Sequence, residues 1–172
     1  MPRIIVITGN GKGKTTSALG MVLRAVGHKM NVSIIQFIKN RADTGEIAAL
    51  SLLPKVSIVQ CGLGFIPAKD SAQYLNHCEA AANGLNLAGK KLADASIDMI
   101  VLDEICSTVH HGLISEESLI NTIRTVHEHA ILICTGRYAP DALISLADTV
   151  SVVNSIKHGF EQGIKAQVGV EF

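Results

Sequence analysis

The 172-residue sequence predicts an α/β fold: a mainly parallel β-sheet flanked by helices on both faces. Three observations predict it. Short apolar runs alternate with helical patterns along the chain, the signature of strand–helix–strand units with right-handed crossovers. Hydrophobic residues reach 48% while aromatic residues reach only 3%, so the runs are built from Ile, Val, Leu and Ala, as strands covered on both faces require. The first run leads into a glycine-rich loop and then a helix, a strand–loop–helix order proper to such folds.

Ile4-Ile5-Val6-Ile7 reads as the first strand. The helix after the loop runs from about Lys14 to Val26, with Leu19, Val22, Leu23 and Val26 on one side, and Gly27 ends it. Val32 to Ile38 is the second strand, Lys39 to Gly45 a polar loop, and Glu46 to Leu53 a short helix stopped by Pro54. Val56 to Cys61 is the third strand. The loop Gly62-Leu63-Gly64-Phe65-Ile66-Pro67 follows and carries two exposed-looking apolar residues. Leu75, Cys78, Ala82, Leu85 and Leu92 recur at helical steps and predict a long helix. Gly84 and Gly89 weigh against it by about 1 kcal/mol each relative to Ala. Ile97 to Leu102 is the fourth strand. Ser115 caps a helix whose first turn holds Glu116 and Glu117. Ala130 to Cys134 is the fifth strand, and Pro140 opens a helix to about Leu146. Thr149–Val153 and Ile164–Val170 read as two closing strands. The length predicts one domain, 1–172.

Lys+Arg and Asp+Glu each number 15, a balance that gives no support to a nucleic-acid partner. The charges are nevertheless segregated. Arg3, Lys12, Lys14, Arg24, Lys29, Lys39 and Arg41 all precede the first acid, Asp43. A basic N-terminal quarter reads as a seat for a polyanion, although Lys29 reads as ordinary surface charge. Cys61, Cys78, Cys106 and Cys134 show no C-x-x-C spacing. Buried free thiols in a reducing, cytoplasmic setting are expected rather than a zinc site or a disulfide framework. No signal peptide or membrane span is expected.

The chemistry gathers at residues that follow strands. Gly9-Asn10-Gly11-Lys12-Gly13-Lys14-Thr15-Thr16 sits where a phosphate-binding P-loop sits. Its glycines let backbone N–H groups approach an anion, Lys14 supplies a point charge and Thr15 a hydroxyl for Mg²⁺. The usual spacing places the first glycine where Thr8 stands, so this loop is one residue tight. With the predicted sheet this implies a RecA-like P-loop NTPase fold. The fourth strand ends in Asp103-Glu104, acids placed to hold Mg²⁺ directly or through water. Arg137, after Thr135-Gly136, brings a guanidinium for phosphate or ribose, the alternative being a surface ion pair. Phe65 reads either as a wall for a large apolar ligand or as a loop residue tucked onto the core. His110-His111 and His127-Glu128-His129 lack metal-ligand spacing and read as surface or capping groups.

These segments together resemble the P-loop type of cob(I)alamin adenosyltransferase, the corrinoid adenosyltransferase family. The resemblance runs from Ile4 to Phe172. It is carried by Thr8 to Thr16, Arg24-Ala-Val-Gly-His28, Gln36-Phe-Ile-Lys39, Val101-Leu-Asp-Glu104 and Thr135-Gly-Arg137. Ala147 to Ser151 and the tail Lys157-His158-Gly159-Phe160 with Gly163 to Gly169 complete it. It implies transfer of the 5′-deoxyadenosyl group of ATP to the Co(I) of a reduced corrinoid, with release of triphosphate. By the same resemblance Gly9, Asn10, Gly11, Lys12, Gly13, Lys14, Thr15, Thr16, Arg24 and Arg137 hold ATP, the triphosphate lying in a reversed sense. Thr15 and Glu104 hold Mg²⁺, with Asp103 acting through water. Phe65 and Glu46 belong to the corrinoid side, Phe65 displacing the lower axial ligand of cobalt. Lys14 and Phe65 are the residues on which catalysis rests. A homodimer and a reduced flavoprotein as electron donor are also implied, and no role is assigned to His158. Two departures stand out: Pro67 replaces a Trp frequent in relatives, and the N-terminal extension many relatives carry is expected to be missing. The rival expectations are a RecA-like ATPase or small-molecule kinase releasing ADP, and a nucleotide-binding regulator without turnover.

Overall fold

The structure, a computed structural model, describes residues 1–171. Phe172, the last residue of the segment that carries the resemblance, lies outside the described residues. Six strands form one sheet: β1 (Arg3–Thr8), β2 (Val32–Gln36), β3 (Val56–Gln60), β4 (Met99–Asp103), β5 (Ile131–Thr135) and β6 (Thr149–Val152). Their order is β3-β2-β4-β5-β1-β6, and each neighbouring pair is parallel. The helices are α1 (Lys14–Gly27), α2 (Gly45–Ser51), α3 (Ala72–Ala93), α4 (Ile105–His110), α5 (Glu116–Ile123) and α6 (Asp141–Leu146).

Strand alternation explains why both faces are covered. Ile4 and Val6, Ile100 and Leu102, Leu132 and Cys134 pack with α3, α5 and α6 on one face. Ile7, Met99, Val101 and Ile133 pack with α1 and α2 on the other. Successive side chains point to opposite faces, so a strand buried on both is a near-continuous apolar run. The connection after β1 leaves toward one face and those after β4 and β5 toward the other. A crevice therefore opens at the carboxyl ends of these strands.

Several boundaries and faces differ from expectation. The inward side of α1 is Lys14, Ala18, Val22 and Ala25, while Leu23 is exposed. In α3 the buried residues are Ala81, Gly84, Leu85, Ala88 and Leu92, and Leu75 and Ala82 face solvent. Small residues set both registers because they let a helix axis come close to its neighbours. Gly84 belongs to that contact: a Cβ there would lie 3.0 Å from Cys61 Cβ and 3.1 Å from the Phe37 ring. Cys106 and Cys134 are buried free thiols, but Cys61 is only half-buried beyond the end of β3. Burial pushes the Cys106 thiol up to about 12. The second closing strand, Ile164–Val170, is not formed. A 3₁₀ turn, Gly159–Gln162, and further turns take its place. Helix α4 was not expected at all; it starts from Glu104 in a left-handed conformation, φ 62.

Candidate functional site

The loop between β1 and α1 is held from below by the chain that follows β6. Gly11 N–H donates to Val153 O at 2.7 Å, and Val153 N–H donates to Thr8 O at 2.8 Å. A Cβ on Gly9 would lie 2.4 Å from Val153 O, and one on Gly11 would lie 2.7 Å from Asn154 C. These two glycines are thus demanded by backbone packing, and Gly9 also by its φ of 100. Gly9→Ala is expected to destabilise the fold by about 2 kcal/mol through strain and overpacking. At this size that is about 4–8 °C in Tm by calorimetry; an unchanged Tm would contradict the close approach.

Helix α1 begins at Lys14, which buries its stem and donates from Nζ to Gly11 O at 2.8 Å. Burial lowers its pKa, as Arg137 nearby also does, while Glu104 and Asp103 pull it back up. Beside it stands Asp103, 1% exposed at the end of β4. Its Oδ1 accepts from Thr15 Oγ1 at 2.8 Å and from Thr135 Oγ1 at 2.7 Å. Its Oδ2 accepts from Gln36 Nε2 at 3.1 Å and pairs with Lys39 Nζ at 3.4 Å. An ionised carboxylate has about four lone-pair positions, so Asp103 is saturated by donors from β2, β5 and α1. The line continues outward, with Gln60 Nε2 donating to Gln36 Oε1 at 2.9 Å. Burial works against the Lys39 charge, but Asp103 and Glu46 outweigh it and raise its pKa.

A cleft of ≈ 570 Å³ opens above this network. Asn10 to Thr16 line it, with Glu104 and Arg137 on the sheet side. Lys39 and Glu46, paired at 3.1 Å, form the opposite wall. The cleft therefore gathers residues from after β1, β2, β4 and β5. Glu46 faces it beside Lys39, whereas Phe65 is not among its lining residues. Arg24 is not there either. It stands exposed in the last turn of α1, about 15 Å along the helix from Lys14.

Phe65 is 95% exposed, not tucked onto the core. Its loop is nonetheless fixed. Gly62 passes so near Ile38 that a Cβ would lie 2.2 Å from the Ile38 carbonyl oxygen. Gly64, at φ 90, donates its N–H to Ile38 O at 2.9 Å. The ring projects beyond the carboxyl edge of the sheet on a rigid support.

Some groups escaped the sequence reading. Gln36 is a polar residue in a fully buried strand, a signal because buried polar groups need partners. Thr135 both donates to Asp103 and accepts from Glu104 N–H at 2.9 Å. The chain end adds His158, Gly169, Val170 and Glu171 to the cleft. His158 Nδ1 accepts from Phe160 N–H at 3.2 Å, and Glu171 pairs with Lys12 at 3.2 Å. That pair is largely exposed, so it contributes little to stability, but its carboxylate competes for a loop cation. Glu171→Gln is expected to tighten binding of inorganic triphosphate to the loop about twofold at low salt and not at all near ~0.5 M salt, where the charges are screened. A binding titration in added salt checks this.

A parallel sheet in which one strand separates the P-loop strand from the strand ending in Asp-Glu, with Lys14 and Thr15 opening the helix, defines a P-loop nucleotide-binding protein. Comparison with known proteins is more specific. The family model described as ATP:corrinoid adenosyltransferase BtuR/CobO/CobP matches residues 1–172, and the chain belongs to this family. It is 40% identical over 171 residues to the corrinoid adenosyltransferase of Pseudomonas aeruginosa, covering 98% of this chain and 83% of that one. It is also 40% identical over 171 residues to corrinoid adenosyltransferase CobA of Salmonella typhimurium, covering 98% and 85%. With the corrinoid adenosyltransferase of Escherichia coli (strain K12) it shares 37% over 170 residues, covering 98% and 85%. No helix among the described residues is long and apolar enough to cross a membrane.

Proposed function

We propose that this protein transfers the 5′-deoxyadenosyl group of ATP to the cobalt of a reduced corrinoid and releases triphosphate. The observation that carries the reading is the pairing of a phosphate cradle with a fully exposed, rigidly mounted phenyl ring at one edge of the sheet. One binds a polyanion. The other is a surface for a large flat ligand.

Cobalt(I) of the substrate supplies the electron pair. It attacks C5′, the Co–C bond forms, the C5′–O5′ bond breaks, and the electrons stay on the triphosphate. No protein nucleophile or base is needed. The chain's task is to stabilise charge gathering on the leaving group and to align the two reactants. Lys14, the N–H groups of residues 10 to 16 and Arg137 meet that charge. Phe65 presses on the lower corrin face and favours the four-coordinate cobalt that is easily reduced.

Mg²⁺ fits these residues. Among the described residues no three His, Cys, Asp or Glu side chains group as a metal cage. An ion here would take few protein ligands and complete its shell with phosphate and water, as Mg²⁺ does. Thr15 and Glu104 would hold it directly. Asp103, its oxygens already engaged, would act through Thr15 or water. When bound, the ion would neutralise triphosphate charge.

One domain, 1–172, is supported by the single sheet. A homodimer is supported by edge strand β6 with exposed Val150 and Val152, near exposed Ile156 and Phe160. A cytoplasmic setting is supported by four free cysteines. The electron that makes Co(I) is assigned to a reduced flavoprotein. Arg24, distant from the loop within the chain, is assigned to ATP on the resemblance alone. Glu46 lies on the nucleotide wall, so its part in corrinoid binding would be made across the bound nucleotide.

The test is anaerobic incubation with ATP, Mg²⁺ and chemically reduced cobalamin. Loss of the Co(I) absorbance, a light-sensitive product and equimolar triphosphate are expected. ADP formed without corrinoid would favour a kinase or ATPase instead, and binding without turnover a regulator.

A further inference from the structure

One hydroxyl on α4 bonds both the acid on the cleft's sheet side and the backbone that carries its arginine. Ser107 Oγ donates to Glu104 Oε2 at 2.5 Å and accepts from the Arg137 backbone N–H at 2.9 Å. The directions are fixed by chemistry. An ionised carboxylate only accepts and an N–H only donates, so the single hydroxyl proton goes to Glu104. Ser107 is 6% exposed, and a short bond to a carboxylate away from water is strong.

The backbone is bent to allow this. Glu104 sits at φ 62 and Gly136 at φ 133. A Cβ on Gly136 would lie 2.7 Å from Ser107 N and 3.0 Å from Ser107 Oγ. A non-glycine residue in the left-handed region costs about 1–3 kcal/mol and persists only where its surroundings over-determine it. Thr135 fixes the Glu104 N–H, and Ser107 fixes the carboxylate at the other end of the same residue. Glu104 and Arg137 follow different strands, β4 and β5. Ser107 bonds directly to both residues.

We infer that Ser107 is a positioning residue. It aims the Glu104 carboxylate at the nucleotide-bound divalent cation and keeps the Arg137 loop in register with it. This rests on the proposed reading that Glu104 helps hold Mg²⁺. Nothing in the P-loop, the Asp-Glu pair or the Thr-Gly-Arg segment points to Ser107; it enters only because α4 folds back under Gly136.

The test uses Mn²⁺ as a spectroscopic stand-in for Mg²⁺, titrated into the full-length protein with ATP and followed by EPR. Ser107→Ala is expected to weaken Mn²⁺ binding by about tenfold or more, the usual consequence of losing a partner of a ligating carboxylate. ATP binding without metal should weaken less, by about threefold at most, because the Arg137 loop loses one backbone hydrogen bond but no phosphate donor is removed. Ser107→Thr, which keeps the hydroxyl, should restore Mn²⁺ affinity to within about threefold. If Ser107→Ala does not fold, Ser107→Cys keeps the shape with a weak donor and should show the same loss. Wild-type Mn²⁺ affinity in the Ala or Cys variant, or a Thr variant as weak as the Ala variant, overturns the inference. If the wild-type protein leaves the Mn²⁺·ATP spectrum as it is in free solution, the metal reading itself fails and takes this inference with it.

Discussion

Lys14→Ala is expected to lower kcat/KM for ATP about a thousandfold, at the upper end of what removing one preorganised donor from a developing anion costs. The position explains the size. Lys14 is 7% exposed, and its ammonium is already aimed into the loop, on the Gly11 carbonyl oxygen. It needs no reorganisation to meet a phosphate oxygen that replaces that carbonyl. Its desolvation, which lowers its pKa, also makes its charge act in a poorly screened place. Folding should not suffer. A lysine whose pKa falls on folding carries a charged form that the native state disfavours, so below that lowered pKa its charge works against stability. The lost bond to Gly11 O, worth about 1 kcal/mol, works the other way, so the Ala variant should stay within about 4 °C of the wild-type Tm. Steady-state kinetics with preformed Co(I), read beside a melting curve, check both halves. A variant that loses activity only because it unfolds would contradict the assignment.

Phe65→Ala is expected to cut activity about a hundredfold when the corrinoid is supplied as Co(II) with a mild reductant. With preformed Co(I) the loss should stay below about tenfold. One face of a phenyl ring covered by a flat ligand is worth about half of full side-chain burial, about 1 kcal/mol or roughly fivefold, which sets the smaller figure. The larger includes the added task of removing the lower axial ligand before reduction. Because the ring is 95% exposed and its loop is held by Gly62 and Gly64 against Ile38, the substitution should leave Tm unchanged. Equal losses in the two assays would remove the axial-ligand role and leave Phe65 as a binding surface.

The sheet and its carboxyl edge were legible because its central strands, covered on both faces, are near-continuous apolar runs that stop at polar ends. The Gly-rich loop, Asp103-Glu104, Thr135-Gly136-Arg137 and the Phe65 loop were legible for a related reason: each is polar or glycine-rich where an apolar run stops. Helix registers were harder. In α1 and α3 two leucines, Leu23 and Leu75, point to solvent, while Ala18, Ala25, Ala81 and Ala88 are buried beside Val22, Leu85 and Leu92. Periodicity weighted by size reads such a helix wrongly when close approach, not bulk, decides the face. Helix α4 escaped because six residues are too few to show a period, and Ser107 escaped with it. The tail failed for the opposite reason. Ile164, Val168 and Val170 alternate well enough for a strand, but the described chain gives them no sheet neighbour, and they stay exposed. The Lys39–Glu46 pair joins a strand end to a helix start, a tertiary fact that spacing does not encode.

The claim that the bond to carbon is made by the substrate's cobalt alone, while the loop grips the departing triphosphate, has a stereochemical consequence. A single displacement inverts C5′; a route through a protein-bound adenosyl intermediate displaces twice and retains it. ATP made chiral at C5′ with deuterium, converted by the protein with Co(I) cobalamin and read by proton NMR of the product, is expected to show inversion. Retention would contradict it.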